Sequence, residues 1–191
     1  MAALPAPVPS RTVDEYLAQE RASEDKHELL NGDIFAMSGA PPEHNLIVAS
    51  LVACLHAALR HRPSLVLPSD MKLQVPATGL FACPDVMVVC GEPMLHDGHR
   101  DVLLNPTVIV EVLGDAAECY DRGDRFAAYQ TVESLRDFLL VLSKAPRTEH
   151  FGRRPDGWLL RMFGSGDRLL VESIGSEIAV DDVFAKVFVR A

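Results

Sequence analysis

Pro84-Asp85-Val86-Met87-Val88-Val89 and Thr107-Val108-Ile109-Val110-Glu111-Val112-Leu113 are two short apolar runs that each carry one acid, Glu111 standing 26 positions after Asp85. Short runs rich in β-branched residues read as buried strands. A carboxylate inside such a run is costly unless something pairs with it, and a divalent metal ion is one such partner. Two acids on neighbouring buried strands are therefore a candidate metal site, of the kind that cuts phosphodiester bonds.

The segments around these runs set the fold class. Thr12-Val13-Asp14-Glu15 is a capping box that opens a short helix to about Glu20. Asn31-Gly32 separates His27-Glu28-Leu29-Leu30 from Asp33-Ile34-Phe35-Ala36-Met37, a strong hairpin signal because both turn residues accept positive φ. Residues 44–60 are Ala- and Leu-rich and nearly uncharged, which predicts a largely buried helix ended by Pro63. Strands are expected over 65–67, 71–75, 84–90, 107–113 and 137–142, and a second helix over 121–132. In 71–75 the apolar residues alternate with Lys72 and Gln74, which places Lys72 away from Met71, Leu73 and Val75. Pro155-Asp156-Gly157 turns a hairpin between 148–153 and 158–163, and 169–173 and 180–186 add a strand and a helical turn. The expectation is one α/β domain over 11–191, with a mixed central sheet flanked by helices and a β-rich C-terminal part, after a flexible tail over 1–10.

Composition narrows the function. With 191 residues, 48% of them hydrophobic and 24% charged, the chain supports one domain with a sizeable core. No membrane partner is expected, since no stretch of about 18 apolar residues lacks a charge or a breaker. Cys54, Cys83, Cys90 and Cys119 form no CxxC pair and read as thiols of a reducing cytoplasm. Neither GxGxxG, GxxxxGK[ST] nor GxSxG occurs, so dinucleotide, P-loop and serine-hydrolase chemistry lack support. The net charge of −9 opposes non-specific coating of nucleic acid. Arg147, Arg153, Arg154, Arg161 and Arg168 read either as a basic face or as a solvated hairpin surface.

Mg²⁺ takes a few carboxylates, carbonyls and waters and leaves room for phosphate oxygens. Asp85 and Glu111 supply carboxylates, the Val112 carbonyl is a plausible third ligand, and Glu28 on the hairpin is a fourth. A cation beside them would offset charge on the phosphate, and the candidates are Lys72 and Arg125.

In order and spacing, Lys26-His27-Glu28-Leu29, Asn31-Gly32-Asp33-Ile34, Met37-Ser38-Gly39-Ala40, His44-Asn45, Ser69-Asp70-Met71-Lys72, Pro84-Asp85-Val86, Val110-Glu111-Val112-Leu113 and Tyr120-Asp121-Arg122-Gly123 resemble the Uma2 (DUF820) family, a branch of the PD-(D/E)XK nucleases. The resemblance covers nearly the full length. It implies a restriction-endonuclease-like core and Mg²⁺-dependent (or Mn²⁺-dependent) cleavage of DNA, with Asp85, Glu111 and Glu28 as the acids. It also implies a lysine where this chain has Arg125, and a Ser-Pro where it has Gly114-Asp115. Arginine keeps the charge but does not readily lose a proton, which excludes a role through the free base. The alternative is a catalytically impaired nuclease fold that binds nucleic acid or a protein partner without cutting. A homodimer is compatible with cutting two strands.

Plainer readings compete at each position. Asp85 can be a strand-end residue bonded to backbone amides, and Glu111 and Arg125 a structural ion pair. His44 can be a helix-start residue, Asp70 a turn residue, His96-Asp97-Gly98-His99 a solvated loop, and Trp158 hairpin packing.

Overall fold

β1 (His27–Leu30) and β2 (Asp33–Ala36) form the hairpin that Asn-Gly predicts, with Asn31 and Gly32 at φ 54° and 89°. The structure, a computed structural model, describes residues 11–114 and 121–188; the expected tail and Asp115, Cys119 and Tyr120 lie outside the described residues. α1 (Val13–Ala22) starts at the capping box, where Thr12 and Glu15 satisfy each other's backbone N–H groups. Its Tyr16 and Leu17 pack on Leu29 of β1, and on Phe81 and Val102.

Among the described residues ten further strands precede the last one. They are β3 (Ser64–Pro68), β4 (Lys72–Val75), β5 (Leu80–Ala82), β6 (Val86–Cys90), β7 (Val102–Leu103), β8 (Val108–Leu113), β9 (Asp137–Leu142), β10 (Arg147–Arg154), β11 (Gly157–Gly164) and β12 (Arg168–Val171). A six-stranded sheet runs β11-β10-β9-β8-β6-β3, with β8 and β9 parallel. A five-stranded sheet runs β2-β1-β5-β4-β7. β12 pairs with β13 (Ser176–Ala179) in a separate two-stranded sheet. The expected C-terminal β part is thus divided, since β10 and β11 complete the main sheet and only β12 and β13 stand outside it.

The chain passes from one large sheet to the other through Cys83-Pro84-Asp85, between β5 and β6. Proline has no N–H to donate, so a ladder does not continue through it. The strand expected over 84–90 is corrected accordingly: Asp85 lies in the break, half-buried, not inside the strand. One position beyond the Val86–Val110 pair on each segment stand Asp85 and Glu111.

The central strands β6, β8 and β9 are covered on both faces, which explains their unbroken apolar runs. On one face Val86, Val88, Val108, Val110, Val112 and Val141 meet α2 (Pro42–Leu59). On the other, Met87, Val89, Ile109, Leu113, Phe138 and Leu140 meet the second helical segment and the five-stranded sheet. Because strand side chains alternate, Glu111 shares the second face with Ile109 and Leu113.

Two helix expectations are revised. α2 is not largely buried: only Ile47, Leu51, Leu55 and Leu59, one stripe at every fourth position, are covered. By length and mean hydropathy it would qualify as a membrane span among the described residues, yet that stripe is packed on the sheet. The segment over 121–132 is a π-helical turn (Asp121–Arg125) leading into α3 (Phe126–Gln130). α4 (Val180–Val183) is the short closing helix.

Candidate active site

Three acids converge on one cleft of about 500 Å³, together with Val112, His44, Cys83, Arg125 and the segment 35–41. Glu28 reaches it from β1, Asp85 from the β5–β6 break and Glu111 from β8. Asp85 Oδ2 accepts the Val112 N–H at 2.7 Å and faces His44 Nε2 at 3.2 Å, from the first turn of α2. The plain reading of Asp85 as an acceptor of a backbone amide is therefore met, on the very strand that carries Glu111. The hydrogen bond to Asp85 raises the His44 pKa, against burial, which acts the other way. His44 Nδ1 is buried with no partner among the described residues.

Arg125 sits between the other two acids. Its Nη2 donates to Glu28 Oε2 at 2.5 Å and its Nη1 to Glu111 Oε1 at 3.1 Å. Glu28, Glu111 and Arg125 are 6%, 4% and 9% exposed. Glu28 Oε1 also accepts the Cys83 N–H at 3.0 Å. The Tyr129 hydroxyl donates to Glu111 Oε1 at 2.8 Å. Burial, then the charge of Glu111, pushes the Tyr129 pKa well above its ordinary value, so the hydroxyl keeps its proton. Tyr129 follows Arg125 by four residues, one helical turn along the same face. That spacing was the signal by which this residue, missed as a site residue from sequence, was available.

Lys72 is placed differently. It is buried, not turned to solvent, and its Nζ lies 2.7 Å from Glu20 Oε1 and 3.5 Å from Cys83 Sγ. Burial acts against its charge, but Glu20 outweighs it and the pKa is raised. Glu20 in turn accepts the His27 N–H. Lys72 therefore stands behind Cys83, its charge committed to Glu20, and does not line the cleft.

The remaining candidates lie elsewhere in local pairs. Asp70 meets Lys26 at 2.5 Å, Asp97 meets Arg21 at 2.9 Å, and His96 Nδ1 contacts Gln74 at 2.7 Å. Of the five C-terminal arginines, Arg154 and Arg161 share Glu172, and Arg168 pairs with Glu177. Arg153 lies over the Trp158 ring and donates to the Gln130 and Val132 carbonyls. Arg147 lies 3.9 Å from Glu149, so among the described residues each of the five has a partner.

By chemistry the donor set suits a hard divalent ion: carboxylates and a backbone carbonyl, with an imidazole and a thiol at the margin. Among the described residues, no three His, Cys, Asp or Glu side chains form a ready cluster. Between Glu28 and Glu111 the positive charge is the Arg125 guanidinium.

A family model described as Uma2, "Putative restriction endonuclease", matches residues 13–181. The chain belongs to the Uma2 family. Two uncharacterized proteins of Synechocystis sp. (strain ATCC 27184 / PCC 6803 / Kazusa) are similar to this Uma2 chain. One is 34% identical over 180 residues, 94% of each chain. The other is 30% identical over 178 residues, 92% of this chain and 94% of that one. A solved structure described as a putative nuclease belonging to DUF820, from Anabaena variabilis ATCC 29413, superposes with a TM-score of 0.74 at 15% identity. It covers 93% of this chain and 99% of its own. At that identity the likeness concerns the fold, which is restriction-endonuclease-like.

Proposed function

We propose that this Uma2 protein is a divalent-metal-dependent endonuclease that acts on DNA. The observation that carries the reading is the convergence of Glu28, Asp85 and Glu111 on one cleft, with a buried cation between two of them. Asp85, Glu111 and the Val112 carbonyl would hold Mg²⁺ or Mn²⁺, with Glu28 assisting. The chemistry such an ion supplies when bound is a lowered pKa for a coordinated water and neutralisation of charge on the phosphate.

The chain's own residues have distinct tasks in this reading. The Val112 N–H and His44 hold one Asp85 oxygen, which fixes the carboxylate's orientation. Tyr129 and Arg125 both hold Glu111 Oε1. Arg125 keeps Glu28 and Glu111 together and offsets their charge, which favours approach of an anionic phosphate. It does not act as a base.

Melting curves with and without millimolar Mn²⁺ test the proposal, alongside plasmid nicking. The wild type is expected to melt higher with the ion and to nick. Asp85→Ala is expected to lose both effects, and unchanged melting and no nicking in the wild type would defeat the reading. One observation favours a second reading, binding without cutting: the guanidinium is tied to both acids. Nicking by Arg125→Lys but not by the wild type would select that second reading.

A further inference from the structure

We infer that Phe35 is a stacking platform for an unpaired nucleobase beside the acids, so that the substrate class is single-stranded or locally unstacked DNA. The inference rests on the nuclease reading above and specifies its substrate.

The hairpin register carries it. In the β1–β2 pair Glu28 stands directly opposite Phe35, and Leu29 opposite Ile34. Residues paired across antiparallel strands project to the same face. Leu29 and Ile34 accordingly pack under α1 with Tyr16 and Phe81. Phe35 projects with Glu28 to the cleft side, where it is 52% exposed. Met37, 37% exposed, lines the same cleft. An aromatic ring left half in water next to a buried acid contributes little to the core. It offers the cleft a flat apolar wall.

The charges decide which occupant fits. Affinity for duplex DNA comes chiefly from lysines and arginines spread along the phosphates. Among the described residues near this cleft, Arg125 is engaged with Glu28 and Glu111, Lys72 with Glu20, and Lys26 with Asp70. The chain as a whole carries −9. With the scissile phosphate left to the acids and Arg125, further hold on a nucleotide here falls to its base, and stacking on an exposed aromatic suits any base. A base inside a closed duplex has both faces covered by its neighbours, so only an unstacked base reaches Phe35.

The experiment uses the full chain and an oligonucleotide carrying a fluorescent adenine analogue, offered single-stranded and as a duplex of the same sequence. The wild type is expected to bind the single strand more tightly and quench its fluorescence. Phe35→Ala is expected to weaken that binding about tenfold, on the scale of one lost stack. Its cost should appear in KM more than in kcat, without lowering the melting temperature, and Phe35→Trp should restore binding. If the wild type cuts and Phe35→Ala matches it in KM and quenching, the inference is overturned while the nuclease reading stands. If sedimentation shows that Phe35→Ala dissociates an oligomer and leaves binding intact, the ring belongs to a second copy and the inference is again overturned. If the wild type neither binds nor cuts either probe, the nuclease reading itself falls and takes the inference with it.

Discussion

Replacing Arg125 with methionine removes the guanidinium from between two buried carboxylates while keeping most of its apolar length. Breaking a buried pair by deleting one partner costs about 3–5 kcal/mol. An independent bound comes from the escape route, protonation of an acid. For a carboxyl with an ordinary pKa of about 4.3, protonation at pH 7 costs about 4 kcal/mol. The Cys83 N–H still donates to Glu28 and the Tyr129 hydroxyl to Glu111, which keeps the cost of the remaining charge from rising far beyond that. The expected loss at pH 7 is therefore about 4 kcal/mol, a drop of about 8–16 °C in melting temperature for a chain of this size. Millimolar Mn²⁺ should recover part of it, since an ion at a hundred times its Kd contributes about 2.7 kcal/mol. Scanning calorimetry at pH 7, with and without Mn²⁺, measures both. A melting temperature at pH 7 within about 2 °C of wild type would refute the reasoning, because the two acids would then not depend on Arg125.

Two further outcomes follow from other buried pairs. Lys72→Met should destabilise by about 3–5 kcal/mol, because Glu20 loses its counter-charge, yet leave KM unchanged at a temperature where the variant is folded; a raised KM would place Lys72 at the substrate. Asp137 is buried, which opposes its ionisation, but His150 Nε2 at 2.6 Å and the Ser173 N–H hold its pKa below the ordinary aspartate range. A depressed folded pKa means stabilisation that is present above about pH 4 and lost as pH falls through the lower folded value. Asp137→Asn should therefore be less stable than wild type by about 3 kcal/mol at pH 7, and urea unfolding should show that gap closing below about pH 4. A gap independent of pH would sink the linkage.

Local chemistry made much of this fold legible. Thr12-Val13-Asp14-Glu15 and Asn31-Gly32 each specify a backbone geometry within four residues, and both are found. The runs at β6, β8 and β9 are apolar on both faces because helices and the second sheet cover both. Their strand character could be read, but not which face each residue served. The length of α2 could also be read, but not its exposure, because an Ala-rich helix lies against a sheet by one stripe as readily as it is enclosed. β5, β7 and β13 escaped notice because two to four residues carry no measurable period. Asp85 is open in the sequence to two readings, inside a strand that Pro84 begins or at a strand end bonded to backbone amides, and the structure meets the second.

The site exposes a general limit of the same reasoning. A glutamate flanked by valines declares that some positive charge meets it, since the alternative is prohibitive in an apolar strand. It does not declare which. Glu111 satisfies that requirement with Arg125 and Tyr129, both delivered by one helical segment on the second sheet face, and Arg125 extends the same charge to Glu28 across the cleft. Burial of the acid is thus explained without an ion, so burial alone no longer argues for one. The argument for an ion passes instead to Asp85, which is half-buried, holds one oxygen on the Val112 N–H and His44, and opens onto the cleft of about 500 Å³. This shift makes Asp85, and not Glu111, the residue whose substitution separates metal binding from mere folding: Asp85→Ala should leave the Glu28–Arg125–Glu111 bridge in place and remove the response to Mn²⁺ together with nicking.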